Sequence, residues 1–128
     1  MNKIEFSGKV FSGKGGGKKF VELEWVKRQI NAILGFTPYA GTLNIRLSDK
    51  SAEQRKLLES AASLTIRPVE GYSSGKVFKA FLGTIECAIV LPEVVGYPDN
   101  VLEIIAPLNL REKFQLADGD EITVTVSL

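Results

Sequence analysis

Short runs of alternating apolar and polar residues, each ended within a few positions by glycine, proline, asparagine or aspartate, set the narrowest limit on what this chain can fold into. The clearest is "TLNIRL", Thr42 to Leu47, in which Leu43, Ile45 and Leu47 take one face and Thr42, Asn44 and Arg46 the other. Comparable strand-like runs are Ile4 to Ser12 (interrupted by Gly8), Ser63 to Val69, Val77 to Pro92 (one or two strands), Val101 to Pro107 and Glu121 to Ser127. "FVEL", Phe20 to Leu23, reads as a further short extended piece. Helical periodicity is confined to three places. Leu23, Val26, Ile30, Ile33 and Leu34 share one helical face, stopped by Gly35. Ser51 to Ala62 forms a second helix entered near Ser48, and Leu110 to Leu116 about two turns of a third. Strands and helices do not alternate regularly, which argues against a doubly wound sheet. The expectation is a mainly β fold: a small six-stranded barrel with short helices plugging its ends, one domain over residues 1–128.

Bulk properties prune the chemistry. A net charge of +1 on 128 residues argues against a chain devoted to coating nucleic acid, so no nucleic-acid partner is expected. No apolar run approaches the roughly 18 residues of a membrane span, and the start lacks a signal-peptide core. With Cys87 as the single cysteine, an internal disulfide is ruled out and a reducing cytoplasm is the default. Histidine is absent, which removes imidazole acid–base chemistry and histidine metal sites. A metal would have to be held by oxygen, as hard cations such as Mg²⁺ are.

Four segments carry candidate chemistry. "SGKGGGKKF", Ser12 to Phe20, fits neither the P-loop nor the dinucleotide fingerprint, because Ser12, Lys18 and Lys19 stand at the wrong positions. Its glycines would still let backbone N–H groups approach an anion beside Lys14, Lys18 and Lys19; a solvated loop is the plainer reading. Thr42 and Asn44, at i and i+2 of a strand, offer two neutral oxygens on one side about 7 Å apart, suited to a magnesium already bound to phosphates or simply to solvent. Glu103 interrupts the apolar run of Val101 to Ile105, either as an edge residue or as an acceptor for a hydroxyl proton. "PLNLR" places Arg111 at the start of a short helix, as a surface charge or as a guanidinium for a nucleotide.

The order of these pieces, "SGKGGGKKF", "ILGFTPYAGTLNIRL", "AIVLP" and "VLEIIAPLNLREKFQLADGDEITV", resembles the archaeal CTP-dependent riboflavin kinases across most of the chain. The resemblance implies a cradle-loop barrel that moves the γ-phosphoryl of CTP to the ribityl 5′-hydroxyl of riboflavin, giving FMN and CDP. It implies a nucleotide lying along Lys14, Gly15, Gly16, Gly17, Lys18 and Lys19 and along Leu108, Asn109, Leu110 and Arg111. It further implies Mg²⁺ on Thr42 and Asn44, and flavin on Glu103, which would double as the base. Where the family pattern has a threonine touching flavin, this chain has Val95, whose backbone alone could contribute. Oligomeric state is left open. The alternative expectation is a non-catalytic β-barrel that binds a nucleotide or nucleic acid, since the "LADGDEITVTV" ending suits such barrels equally well.

Overall fold

A computed structural model describes residues 3–13, 21–67 and 74–128. Seven strands run through it: β1 (Lys3–Phe11), β2 (Leu43–Leu47), β3 (Leu64–Ile66), β4 (Gly75–Leu82), β5 (Ile85–Pro92), β6 (Val101–Ile105) and β7 (Glu121–Ser127). All pairings are antiparallel, in the order β3-β4-β5-β6-β2-β1-β7, and β7 returns to pair with β4. One edge of β4 is therefore shared, with Gly75 to Val77 facing β3 and Ala80 and Phe81 facing β7. Six strands close a barrel, and β3 is a short addition to its wall.

Two apolar clusters explain the strand sequences. Phe6, Val10, Ile45, Phe78, Ile89, Leu102, Ile104, Val124 and Val126 fill the barrel interior. The opposite face of β4, β5 and β6 is buried as well, where Val77, Ala88, Val90 and Ile105 meet Val26 and Ile30 of α1 (Glu24–Leu34). This double burial is why "CAIVL" is continuously apolar while β1 and β2 alternate. Cys87 belongs to the barrel interior, where burial pushes its thiol up to about 12 and leaves it inert.

The helices divide between the two clusters. α2 (Asp49–Ser60) begins at an N-cap whose Ser48 Oγ accepts from the Ser51 N–H, and it sends Leu58 into the barrel interior. The Ser51 hydroxyl accepts from Ser7 N at 2.9 Å, pinning that helix across β1. α3 (Leu110–Phe114) likewise contributes Leu110 to the interior and stops at Gln115, which is left-handed. The expectation that the helices plug the barrel holds for these two, whereas α1 lies against the outer wall. Val21 and Glu22 are helical rather than extended, because Val21 is buried in the cluster under α1.

Two glycines are dictated by geometry. A Cβ on Gly8 would stand 2.5 Å from the Arg46 carbonyl oxygen, so the approach of β1 to β2 tolerates no side chain there. Gly83 takes φ 61° at the first position of the two-residue turn joining Leu82 to Ile85, the position at which a tight hairpin prefers glycine.

Candidate active site

The site grows from one cross-strand pair. β2 and β6 run antiparallel with Asn44 directly opposite Glu103. Their neighbours Leu43, Ile45, Leu102 and Ile104 point into the barrel, so the pleat turns both polar side chains to the other face, half-buried. Thr42, one residue before β2, stands on that same face. Its hydroxyl donates to Asn44 Oδ1 at 3.0 Å and lies 3.4 Å from Glu103 Oε1. Three hard oxygens thus converge at one spot, two neutral and one from a carboxylate. Groups of three or more acidic, cysteine or histidine ligands are absent among the described residues. A cation here would accordingly draw most of its ligands from phosphate and water, as magnesium prefers.

Tyr97 completes the set from the loop before β6. Its hydroxyl donates to Glu103 Oε2 at 2.6 Å. Burial, followed by the bond and charge of Glu103, drives the phenol well above its ordinary value. Tyr97 therefore keeps its proton and donates it in the hydrogen bond to Glu103. Each Glu103 oxygen keeps lone-pair capacity for a further hydroxyl.

The glycine-rich segment starts at the same place. Phe11 is paired with Asn44 at the end of β1, and two residues later a Cβ on Gly13 would stand 2.6 Å from Asn44 Nδ2. The amide therefore packs directly on the glycine. Lys14, Gly15, Gly16, Gly17, Lys18 and Lys19, expected along the nucleotide, lie outside the described residues. The end of β1 that leads into this segment is held by Arg111, whose Nη2 donates to Phe11 O at 3.0 Å and to Asp118 Oδ1 at 2.7 Å. The Ser12 hydroxyl bonds the same carboxylate at 3.0 Å. Arg111 first, and then Ser12, hold the Asp118 carboxyl below the usual carboxylate range. The turn carrying Asp118 is tied back to β1 through Gly119 N to Val10 O at 2.7 Å and Val10 N to Asp120 O at 2.8 Å.

Two clefts lie beside the residues that contact Glu103. The first, about 190 Å³, is lined by Tyr39, Gly41, Thr42, Leu108, Asn109 and Arg111, among others. The structure thus gathers Thr42 with the Leu108–Arg111 segment. The second, about 390 Å³, is lined by Arg55, Leu91, Val94, Val95, Tyr97 and Asp99, among others. It takes in Val95, whose side chain is fully exposed. Thr42 belongs to the first cleft and Tyr97 to the second, and both bond Glu103.

The family model for the CTP-dependent riboflavin kinase domain (CTP-dep_RFKase, described as a domain of unknown function) matches residues 10–126. The chain belongs to this family. A riboflavin kinase of Saccharolobus solfataricus is 42% identical over 132 residues, covering 98% of this chain and 75% of the relative. A riboflavin kinase of Pyrobaculum islandicum is also 42% identical, with 98% of this chain covered and 61% of the relative. One from Archaeoglobus fulgidus is 40% identical over 98% of this chain and 55% of the relative. The chain thus spans little more than half the length of some relatives it matches.

Within this family member, sequence reasoning passed over three site residues. Tyr97 is one of three tyrosines in the sequence, and only the course of the loop before β6 shows that its hydroxyl reaches Glu103. Asp118 sits in "ADGD", a run that by itself reads as a tight turn. Arg55 was overlooked on a strongly charged helix, although Ser51, Arg55 and Leu58 are spaced so as to share the helical face that becomes buried.

Proposed function

We propose that this chain is a CTP-dependent riboflavin kinase, transferring the γ-phosphoryl of CTP to the ribityl 5′-hydroxyl of riboflavin to give FMN and CDP. The observation that carries the reading is the Thr42–Asn44–Glu103–Tyr97 cluster, set between two clefts with Gly13 packed on Asn44, in a chain of this family.

Each residue has a separate task. Thr42 and Asn44 would hold Mg²⁺ through their neutral oxygens, and the bound ion would neutralise phosphate charge as the group is transferred. The nucleotide takes the cleft of Leu108, Asn109, Leu110 and Arg111, with Lys14 to Lys19 along its phosphates. Riboflavin takes the cleft of Val95 and Tyr97. Glu103 accepts a hydrogen bond from the ribityl 5′-hydroxyl, while Tyr97 fixes the carboxylate's orientation. In the transfer, a bond forms from the 5′-oxygen to the γ-phosphorus and the bond to the β–γ bridging oxygen breaks. The electron pair of that bond leaves with CDP, and the hydroxyl proton passes to Glu103. Because such a transition state is loose, positioning and charge neutralisation matter more than the base.

The test is direct. Purified protein with riboflavin, Mg²⁺ and either CTP or ATP is assayed for FMN by chromatography. FMN should form with CTP and much less with ATP. Absence of FMN with every nucleotide would contradict the reading, and equal rates with ATP would remove the cytidine preference.

A further inference from the structure

The cleft beside Tyr97 contains a charged group that phosphoryl transfer leaves unused. Arg55, on α2, is only 5% exposed. Its Nε has no hydrogen-bond partner among the described residues. The guanidinium stands 5.7 Å from the centre of the Tyr97 ring, and it pairs at 3.7 Å with Glu59, whose side chain is 62% exposed. A buried cation with an unmet donor is a cost to folding, and an apolar side chain of similar volume is often neutral or stabilising in its place. Leu58 and Ala52 already seat α2 on the barrel interior. Arg55 is therefore poorly explained by stability.

The surroundings indicate what it faces. Besides Arg55, the cleft holds one cation among the described residues, Lys76, whose Nζ donates to the Glu59 carbonyl. Against these stand the carboxylates of Glu59, Glu93 and Asp99. That balance does not suit a phosphate. Leu91, Val94, Val95 and the Tyr97 ring supply apolar walls suited to a flat, uncharged ring. A planar guanidinium lining the cleft calls for acceptor atoms along one edge of that ring. Riboflavin has such an edge, the pyrimidine side of its isoalloxazine with two carbonyl oxygens and an unprotonated ring nitrogen.

We propose that Arg55 binds this pyrimidine edge and selects the flavin ring at the acceptor cleft, with the ring lying between Tyr97 and the Val94–Val95 loop. The assignment rests on the kinase reading for its ligand and extends it to a specificity residue on α2.

The experiment compares wild type, Arg55→Met and Arg55→Lys in two assays: riboflavin titration followed by quenching of its fluorescence, and steady-state turnover. Arg55→Met should weaken riboflavin binding and raise its KM about ten- to hundredfold, with KM for CTP unchanged. Arg55→Lys, which keeps the charge but not the fork, should fall between the two. Without ligand, the Tm of Arg55→Met should be unchanged or higher. Riboflavin binding unaltered in both variants, or a lowered Tm with both KM values shifted alike, would overturn the proposal by making Arg55 a structural residue. Competition of inorganic phosphate with riboflavin, lost in Arg55→Met, would overturn it in favour of an anion site. Should Arg55→Met not fold, Arg55→Lys alone decides, because an unchanged riboflavin KM there contradicts a role for the fork. Wild type that binds riboflavin but makes no FMN would end the kinase reading while leaving the Arg55 comparison valid by fluorescence.

Discussion

The two clefts beside the residues that contact Glu103 are built in opposite ways. The one beside Leu108–Arg111 is braced by polar bonds that exist without ligand. Tyr39 N donates to Ala106 O at 2.7 Å, Asn109 Nδ2 reaches the Tyr39 hydroxyl at 3.3 Å, and Arg111 ties the end of β1 to Asp118. The one beside Tyr97 is walled by the 93–100 loop, which exposes Val94 and Val95 and is tied by Tyr97 N to Val94 O at 3.1 Å and by Ser74 Oγ to Glu93 at 3.0 Å. The difference fits the ligands proposed for each. A charged, flexible triphosphate is best met by groups fixed in advance, whereas a flat apolar ring needs surface and a few edge donors. It also predicts different kinetic signatures for substitutions on the two sides and at the junction between them.

The junction should give the largest effects. Asn44→Ala removes one of the two neutral oxygens proposed for the cation and should lower kcat at least about 100-fold, with Tm little changed because Asn44 is only half-buried. Full magnesium-dependent turnover in that variant would break the metal assignment. Glu103→Gln keeps the shape and the ability to accept from Tyr97 but loses the charge and the base. A fall in kcat of about 100-fold is expected, read by single-turnover FMN formation, and an unchanged rate would reduce Glu103 to a surface residue.

On the braced side, Arg111→Met should raise KM for CTP about tenfold and leave KM for riboflavin alone. The same change should show in a titration. A carboxyl held down in the folded state stabilises the fold above its unfolded value, and that contribution is lost as pH falls through the folded value. Carbon-detected NMR of Asp118 should place its midpoint below the ordinary carboxylate range in wild type and return it toward that range in Arg111→Met. Coincident midpoints would mean that the clamp does not persist in solution. The smallest effect belongs to Tyr97→Phe, which deletes the donor to Glu103 but keeps the ring. A several-fold drop in kcat with KM for riboflavin nearly unchanged separates its hydroxyl from its stacking surface.

The sequence carried the barrel because alternation at Leu43, Ile45 and Leu47 has a direct physical cause, one wall facing the core. It carried Thr42, Asn44 and Glu103 for a related reason: strand periodicity alone puts the first two on one side and makes a carboxylate in an apolar run conspicuous. It did not carry the Asn44–Glu103 pairing, which depends on the register between strands nearly sixty positions apart. Nor did it carry the links made through loops. Tyr97 reaches Glu103 through the course of the 93–100 loop, and Ser12 meets Asp118 only once β1 and β7 have paired, neither of which a local pattern encodes. Val21 was misread because its burial beneath α1 is a tertiary fact, although the apolar spacing of the helix itself was plain.

The central claim is that both substrates meet at Glu103, one from each cleft. A crystal structure of the chain with CDP and FMN bound together tests it most directly. The CDP phosphates should lie beside Thr42 and Asn44, and the ribityl end of FMN within hydrogen-bonding distance of Glu103 with its ring beside Tyr97. Ligands bound in places that cannot bring the FMN phosphate toward CDP, or a flavin far from Glu103, would contradict it.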